Sequence, residues 1–171
     1  MKIAFFGRCK VGRDILEPLS QNYDIVFASC MSKEQDQVYT FCEQNKIPVI
    51  VFDPKCTSSK EKLADMICDV DILIVCNFVF VPTEIYTRVK HLAVNIHYSL
   101  LPYHRGSNPI ASVLEKGDTF TGVTIHRLTD IIDGGEILVQ KKVPVHANDS
   151  FISLYEKLKE KAVECIHDLI D

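Results

Sequence analysis

The chain has 171 residues, of which 47% are hydrophobic and 25% are charged, and its formal net charge at pH 7 is -4. This composition is typical of a globular domain with a sizeable core, and the acidic balance gives no general attraction to nucleic acid or to a membrane. The seven scattered cysteines include no Cys-x-x-Cys pair, which argues against a zinc site and a disulfide framework and favours the reducing cytoplasm. The N-terminal apolar run is too short for a signal peptide or a membrane span.

Short apolar runs and helical patterns alternate through the first half of the chain. Strands are predicted over residues 3–6, 24–28, 48–52, 71–76 and 92–96, and helices after Gly12 and over 33–45, 58–66 and 82–90. The fourth of these strands is continuously apolar, as expected when both faces of a sheet are covered. The alternation predicts an α/β fold: a Rossmann-like, doubly wound, mostly parallel sheet with helices on both faces.

A loop bounded by Gly7 and Gly12 connects the first strand to the first helix. Such a loop before a helix N-terminus favours the binding of an anion. Arg8 and Lys10 in this loop are candidate phosphate ligands, although isolated surface cations are more often merely solvated. The glycine spacing differs from the dinucleotide fingerprint, so a nicotinamide cofactor is not expected.

The second half of the chain contains fewer predicted elements. Residues 109–115 predict a short helix, and residues 122–128 and 136–143 predict two strands that pair antiparallel at the sheet edge. Residues 150–170 carry apolar side chains at helical spacing, which predicts an amphipathic helix.

The first polar stretch, residues 95–109, follows the fifth predicted strand. Because side chains alternate along a strand, Asn95 and His97 are expected to project to the same side. An amide can donate to a developing oxyanion and an imidazole can move a proton near neutral pH, so the two are a candidate pair for acyl transfer. Ordinary turn chemistry is the alternative interpretation of such a strand end.

The second polar stretch, residues 122–136, contains a loop in which Asp133 precedes Gly134 and Gly135. The two glycines would let the backbone approach a ligand closely. Ligands of open α/β sheets bind at the carboxyl ends of the strands, so this loop is expected to fold over the Asn95 and His97 side chains. The alternative interpretation of Asp133 is a loop-shaping residue that caps nearby backbone amides.

From the N-terminus to about residue 150, these stretches resemble the 10-formyltetrahydrofolate-dependent formyltransferase family. The likeness rests on the Asn-x-His strand end, the Ser-Leu-Leu-Pro turn, the Asp-x-Gly loop and their spacing, at Asn95, His97, residues 99–102, Asp133 and Gly135. The resemblance implies transfer of a one-carbon formyl group from 10-formyltetrahydrofolate to a primary amine. It also implies one catalytic domain over residues 1–171. Members usually continue with a further helix or strand, so the chain is expected to be either shortened at its C-terminus or a minimal member.

The resemblance implies roles for the three catalytic candidates. Asn95 and a protonated His97 would stabilise the oxyanion, and Asp133 would orient His97 and take up protons through water. A nearby carboxylate raises the pKa of an imidazole, so the pKa of His97 is expected to be raised. His104 and His126 are interpreted as structural or rim residues.

The formyl donor is expected to bind two segments, mostly through backbone groups. Its predicted ligands are Phe80, Val81, Pro82, Asp130 and Ile132. Phe78, just before the first segment, is interpreted equally well as a core residue. No metal is expected, because the six histidines are scattered.

The acceptor amine is chosen by comparing members of the family. Those that bind tRNA carry a long basic loop after the second strand, whereas residues 31–36 are short and not basic. Glycinamide ribonucleotide formyltransferases lack the Arg-Gly-x-x-Pro stretch at Arg105–Pro109, which amino-sugar formyltransferases share. We therefore expect a nucleotide-linked amino sugar, with Arg8, Lys10 and Arg105 as substrate-binding residues.

Three alternatives stay open: glycinamide ribonucleotide formyl transfer, hydrolysis of 10-formyltetrahydrofolate by the same three residues, and a non-catalytic folate-binding domain. The expected partner is a small-molecule amine, without nucleic acid or membrane. The expected location is the cytoplasm, and a homodimer is a candidate state.

Overall fold

A computed structural model describes residues Met1 to Asp171 and has seven strands and six helices. The strands are β1 (Lys2–Gly7), β2 (Asp24–Cys30), β3 (Val49–Val51), β4 (Ile72–Cys76), β5 (Leu92–His97), β6 (Phe120–Arg127) and β7 (Ile137–Pro144). The helices are α1 (Cys9–Asn22), α2 (Gln37–Asn45), α3 (Thr57–Ile67), α4 (Thr83–Tyr86), α5 (Pro109–Lys116) and α6 (Phe151–Ile170). The strand order in the sheet is β3-β2-β1-β4-β5-β6-β7, which confirms the predicted α/β fold with its antiparallel edge.

The chain divides into two compact units, Met1–Val94 and Asn95–Asp171. In the first unit, β1 pairs in parallel with β2 and with β4, and β2 pairs in parallel with β3. Residues 3–6 of β1 are fully buried, as expected for a central strand covered on both faces. Phe78 packs in the same core, with its ring centroid 5.4 Å from that of Phe6 and 5.9 Å from that of Phe52.

Two predicted helices of the first unit are shorter in the structure. The helix expected over residues 82–90 is only α4, because the amides of Lys90 and His91 bond to the carbonyls of Val70 and Asp71 and not to the preceding turn. The helix expected over 33–45 begins at Gln37, after Asp36 caps it by accepting from the amide of Val38 at 2.8 Å.

The second unit is built on the antiparallel pair of β6 and β7, against which α6 packs. Six consecutive residues of β6, Thr121 to His126, are buried. The pairing register shifts between Ile125 and His126, and such a bulge re-aims the side chains next to it. The buried face of α6 consists of Leu154, Tyr155, Leu158, Ala162, Cys165 and Ile166, which confirms the predicted amphipathic helix. None of the helices is both long and apolar enough to cross a membrane.

The N-terminus of α6 offers a test of local stability. Ser150 and Ser153 form a capping box, in which each side-chain hydroxyl accepts a hydrogen bond from the other residue's amide. Replacing Ser150 with Ala leaves one helix amide without its acceptor, so we expect the free energy of unfolding to fall by about 1 kcal/mol. Urea denaturation measures the loss. Ser150→Gly should lose only a few tenths of a kcal/mol, and equal losses would contradict the capping role.

Candidate active site

Asn95 and His97 stand at the carboxyl end of β5, as the strand period predicts. The imidazole of His97 is buried, and Asn95 is partly exposed. Nε2 of His97 lies 2.8 Å from the carbonyl oxygen of His104. Because a carbonyl oxygen only accepts, Nε2 carries the proton of this hydrogen bond. The other ring nitrogen, Nδ1, is therefore the one that can gain or lose a proton.

Asp133 uses its two carboxylate oxygens for different partners. Oδ2 accepts from the amide of Gly106 at 2.9 Å, and Oδ1 lies 3.6 Å from Nδ1 of His97 and 3.5 Å from Nε2 of His126. The first of these imidazole distances exceeds a hydrogen bond, so the carboxylate acts on His97 mainly through its charge. Gly106 has a φ of 104°, a conformation that only glycine adopts readily, so a side chain there would disturb the amide that holds Asp133.

His126 joins the cluster, although the sequence indicated a structural or rim residue. Its Nδ1–H donates to the carbonyl of Arg127 at 3.0 Å, which leaves Nε2 to accept from Nδ2 of Asn95 at 3.2 Å. This bond fixes which end of the Asn95 amide is the donor, and the second hydrogen on Nδ2 stays free. The signal in the sequence was the place of His126 near the end of a predicted strand, just before the Asp133 loop.

The comparisons with known proteins identify the family of the chain. Residues 1–170 match the family model described as "Formyl transferase". The chain belongs to the formyl transferase family. The resemblance seen in the sequence is therefore confirmed, and it extends past residue 150.

Individual relatives of this family member differ in what they act on. The methionyl-tRNA formyltransferase of Coprothermobacter proteolyticus is 31% identical over 97% of this chain and 57% of its own length. The phosphoribosylglycinamide formyltransferase from Bacillus halodurans superposes with a TM-score of 0.84 at 20% identity, over 100% of this chain and 96% of that chain. A formyltetrahydrofolate deformylase from Pseudomonas syringae pv. tomato gives 0.80 at 19% identity, over 98% and 59%. The two structural likenesses show the fold alone, and the chain spans 57% of the curated relative's length.

The charge states in this family member differ from the sequence expectation for His97. Burial, the largest influence, lowers the pKa of His97, and the His104 carbonyl and the Asp133 charge only partly offset it. The expectation that the pKa of His97 is raised was therefore wrong, because it counted the carboxylate and not the loss of water around the ring. Burial alone would raise the pKa of Asp133, but the amide of Gly106 and the neighbouring rings of His126 and His97 hold that pKa below its usual value.

The glycines after Asp133 allow close approaches within the chain itself. A Cβ on Gly135 would collide with the carbonyl oxygen of Arg127, and a Cβ on Gly134 would collide with the side chain of Ile131. The close approach is thus to the chain's own backbone and loop. It lets the loop turn back directly onto the end of β6, where Arg127 and Glu136 share a backbone hydrogen bond of 2.9 Å.

The residues predicted to bind the formyl donor differ in how much of each is exposed. Phe80, in the first unit, is 51% exposed, whereas Val81 is 4% exposed and Pro82 is the N-cap of α4. In the second unit, Ile132 is 67% exposed and Asp130 is exposed beside it. The side chain of Val81 is therefore not accessible to a ligand in this structure.

The three cations predicted to bind substrate are all exposed. In the first unit, Arg8 is the N-cap residue of α1, and the ammonium of Lys10 pairs with the carboxylate of Asp14 on the next turn. In the second unit, Arg105 forms no ion pair and precedes Gly106, whose amide holds Asp133. Arg105 is thus the predicted cation that adjoins the candidate site within its own unit.

Removing the charge of Asp133 tests its coupling to His97. In Asp133→Asn the side chain keeps its shape and loses its charge, so the imidazolium of His97 loses its nearest opposite charge and its pKa should fall further. NMR titration of the histidine ring signals measures the pKa. Asp130→Asn, three residues away on the same loop, is the matched control and should leave the pKa where it is. An unchanged pKa in Asp133→Asn would leave Asp133 only its bond to the Gly106 amide.

Proposed function

We propose that this chain transfers a formyl group from 10-formyltetrahydrofolate to a primary amine, as one catalytic domain over residues 1–171. The observation that carries the proposal is the cluster in which His97 and His126 face the carboxylate of Asp133 and Asn95 bonds to His126. Membership of the formyl transferase family supports the same reaction. The donor supplies a formyl carbonyl carbon, which the amine nitrogen attacks while the bond to the folate nitrogen breaks.

Asn95 is suited to the charge that develops on the formyl oxygen. Its amide is oriented by donating one hydrogen to Nε2 of His126, and its second hydrogen is free to donate to an oxyanion. The orientation exists before substrate binds, so no reorganisation is needed when the charge appears. His126 is therefore a positioning residue for Asn95 in this proposal.

His97 is suited to move the proton. Since burial lowers its pKa, the ring is neutral at rest near pH 7, with Nε2 bonded to a carbonyl and the lone pair on Nδ1. Nδ1 accepts the proton that the attacking amine loses, and the ionised Asp133 stabilises the resulting imidazolium. The same proton then goes to the leaving folate nitrogen, so the reaction ends with His97 neutral again.

The donor-binding role of Phe80, Val81, Pro82, Asp130 and Ile132 stays a proposal. The loop that carries Asp133 exposes the side chains of Ile131 and Ile132 to 63% and 67%. Covering such apolar area with a flat ring is favourable, at about 25 cal/mol per Å². This fits a donor whose ring lies beside the carboxylate that serves His97.

The acceptor we propose is an amine that carries phosphate, because the unpaired guanidinium of Arg105 lies one residue from the amide that holds Asp133. A nucleotide-linked amino sugar, the acceptor expected from the sequence, meets this description. Methionyl-tRNA also meets it and is the second candidate, favoured by the 31% identity with a methionyl-tRNA formyltransferase. Because this relative acts on a tRNA, the absence of a nucleic-acid partner, expected from the sequence, stays a prediction.

An acceptor panel tests the reaction and the role of Arg105 together. The protein is incubated with 10-formyltetrahydrofolate and, separately, a nucleotide-linked amino sugar, glycinamide ribonucleotide, methionyl-tRNA or no acceptor, and tetrahydrofolate release is followed. We expect release only with one phosphate-bearing amine, and Arg105→Ala should raise its KM while sparing the KM of the donor. Release without acceptor would indicate hydrolysis, and no release in any tube would indicate a binding domain. Equal changes in both KM values would contradict the role of Arg105.

Single substitutions in the cluster test the separate roles of Asn95, which stabilises the oxyanion, and His97, which moves the proton. Asn95→Ala removes an oxyanion donor, so kcat should fall by about 100-fold or more. His97→Ala should remove turnover and leave folate binding within a few-fold. Steady-state kinetics and folate titration measure both effects, with Asn22→Ala at the exposed end of α1 as the control. Retention of most wild-type activity by His97→Ala would exclude the proposed proton path.

A further inference from the structure

His104 holds an unusual backbone conformation next to the candidate site. Its φ is 54°, in the left-handed region that residues other than glycine seldom occupy. Such a conformation persists where the surroundings impose it, and it is found often near functional sites. The cause here is visible in the contacts of the His104 side chain, which is only 7% exposed.

The imidazole of His104 is clamped at both ring nitrogens. Nδ1 lies 2.8 Å from Oγ of Ser112 on α5, and Nε2 lies 2.6 Å from Oδ2 of Asp118, which follows the C-cap residue Gly117 of that helix. A carboxylate only accepts, so Nε2 of His104 is the donor in the second bond. Two groups carried by one rigid segment thus fix both the position and the plane of the ring.

The backbone of the same residue orients His97. The carbonyl oxygen of His104 accepts from Nε2 of His97 at 2.8 Å, and the hydroxyl of Ser99 supports the loop by donating to the carbonyl of Tyr103 at 2.7 Å. The direction of a carbonyl follows from the backbone conformation of its own residue. If residue 104 relaxed to a right-handed or extended conformation, its carbonyl would turn away, and Nε2 of His97 would lose its acceptor.

We propose that His104 is a positioning residue: its clamp by Asp118 and Ser112 keeps its carbonyl on Nε2 of His97 and so selects the tautomer of His97. In that tautomer the lone pair is on Nδ1, the nitrogen that faces Asp133. The consequence for catalysis rests on the proposed function, in which Nδ1 carries the proton. The selection of the tautomer does not, because it follows from hydrogen bonds within the unit.

Asp118 gives the sharpest test, because changing it leaves His97 and His104 themselves in place. The groups that face His97 electrostatically are Asp133, His126 and His104, and all three stay in Asp118→Ala. In the ¹⁵N-labelled wild type, NMR of the ring nitrogens of His97 at pH above its pKa should show Nε2–H alone. In Asp118→Ala we expect a mixture of the two tautomers, and a fall in kcat of up to about 100-fold with an unchanged KM for the acceptor.

Three further variants separate the effect of geometry from the effects of charge and of stability. Asp118→Asn removes the charge but keeps an oxygen that can accept from Nε2 of His104, so it should restore both the tautomer and most of kcat. Ile166→Val, in the buried face of α6, destabilises the same unit without touching the loop and should change neither. Ser112→Ala removes the weaker anchor and should have a smaller effect than Asp118→Ala.

The outcomes separate this proposal from the proposed function. If His97 keeps the pure Nε2–H tautomer in both Asp118→Ala and Ser112→Ala, the clamp does not select it and the proposal is overturned. A loss of kcat in Asp118→Ala no greater than in a variant of equal stability would overturn it equally. If the wild type transfers no formyl group, the proposed function fails, and the tautomer ratio alone still decides the role of His104.

Discussion

The carboxylate of Asp133 joins two loops of the second unit, because Oδ2 bonds to the amide of Gly106 while Oδ1 faces the rings of His97 and His126. A carboxylate that is largely removed from water is costly unless its charge is compensated. Here the amide of Gly106 donates to the carboxylate and the two imidazoles lie against it, and the pKa of Asp133 stays below the usual value in spite of burial. The same contacts that keep the charge therefore also bring the two loops and the end of β5 to one place.

The imidazoles of His97 and His126 have the same hydrogen-bond pattern, although they come from different strands. Each donates one ring N–H to a backbone carbonyl, His97 to that of His104 and His126 to that of Arg127, and each turns its other nitrogen toward Asp133. The lone pair on Nδ1 of His97 and the carboxylate together attract a proton, while burial of the His97 ring resists it, and the lone pair on Nε2 of His126 already accepts from Asn95. The effect of burial is the larger one, so the pKa of His97 is lowered and its ring is neutral near pH 7 in the free protein. Nδ1 of His97 can therefore accept a proton.

The sequence predicted the elements that depend on local periodicity and on adjacent residues. The parallel sheet, the antiparallel edge and the amphipathic α6 follow from hydrophobic patterns, and Asn95 and His97 follow from the strand period. The early end of α4 depends on amides that bond to residues far away in the sequence, so no local pattern shows it. The place of His126 depends on a register shift in β6, and the pKa of His97 depends on how much water the fold excludes. Neither the place of His126 nor the pKa of His97 can be predicted from the local sequence.

The loop that follows β5 is held by polar groups of β6 and β7. The hydroxyl of Thr124 donates to the carbonyl of Ser99 at 2.7 Å and accepts from the amide of Leu101, and Gln140 donates to the carbonyl of Leu101 at 3.0 Å. These groups bond to the protein itself, so they fix the shape of the loop and have little capacity left to recognise a substrate. In the proposed reaction, discrimination between acceptors would come from side chains that the loops expose, and Arg105 is the charged one beside Gly106. The groups that fix the shape of this loop and the groups that it exposes to a ligand are therefore physically separate.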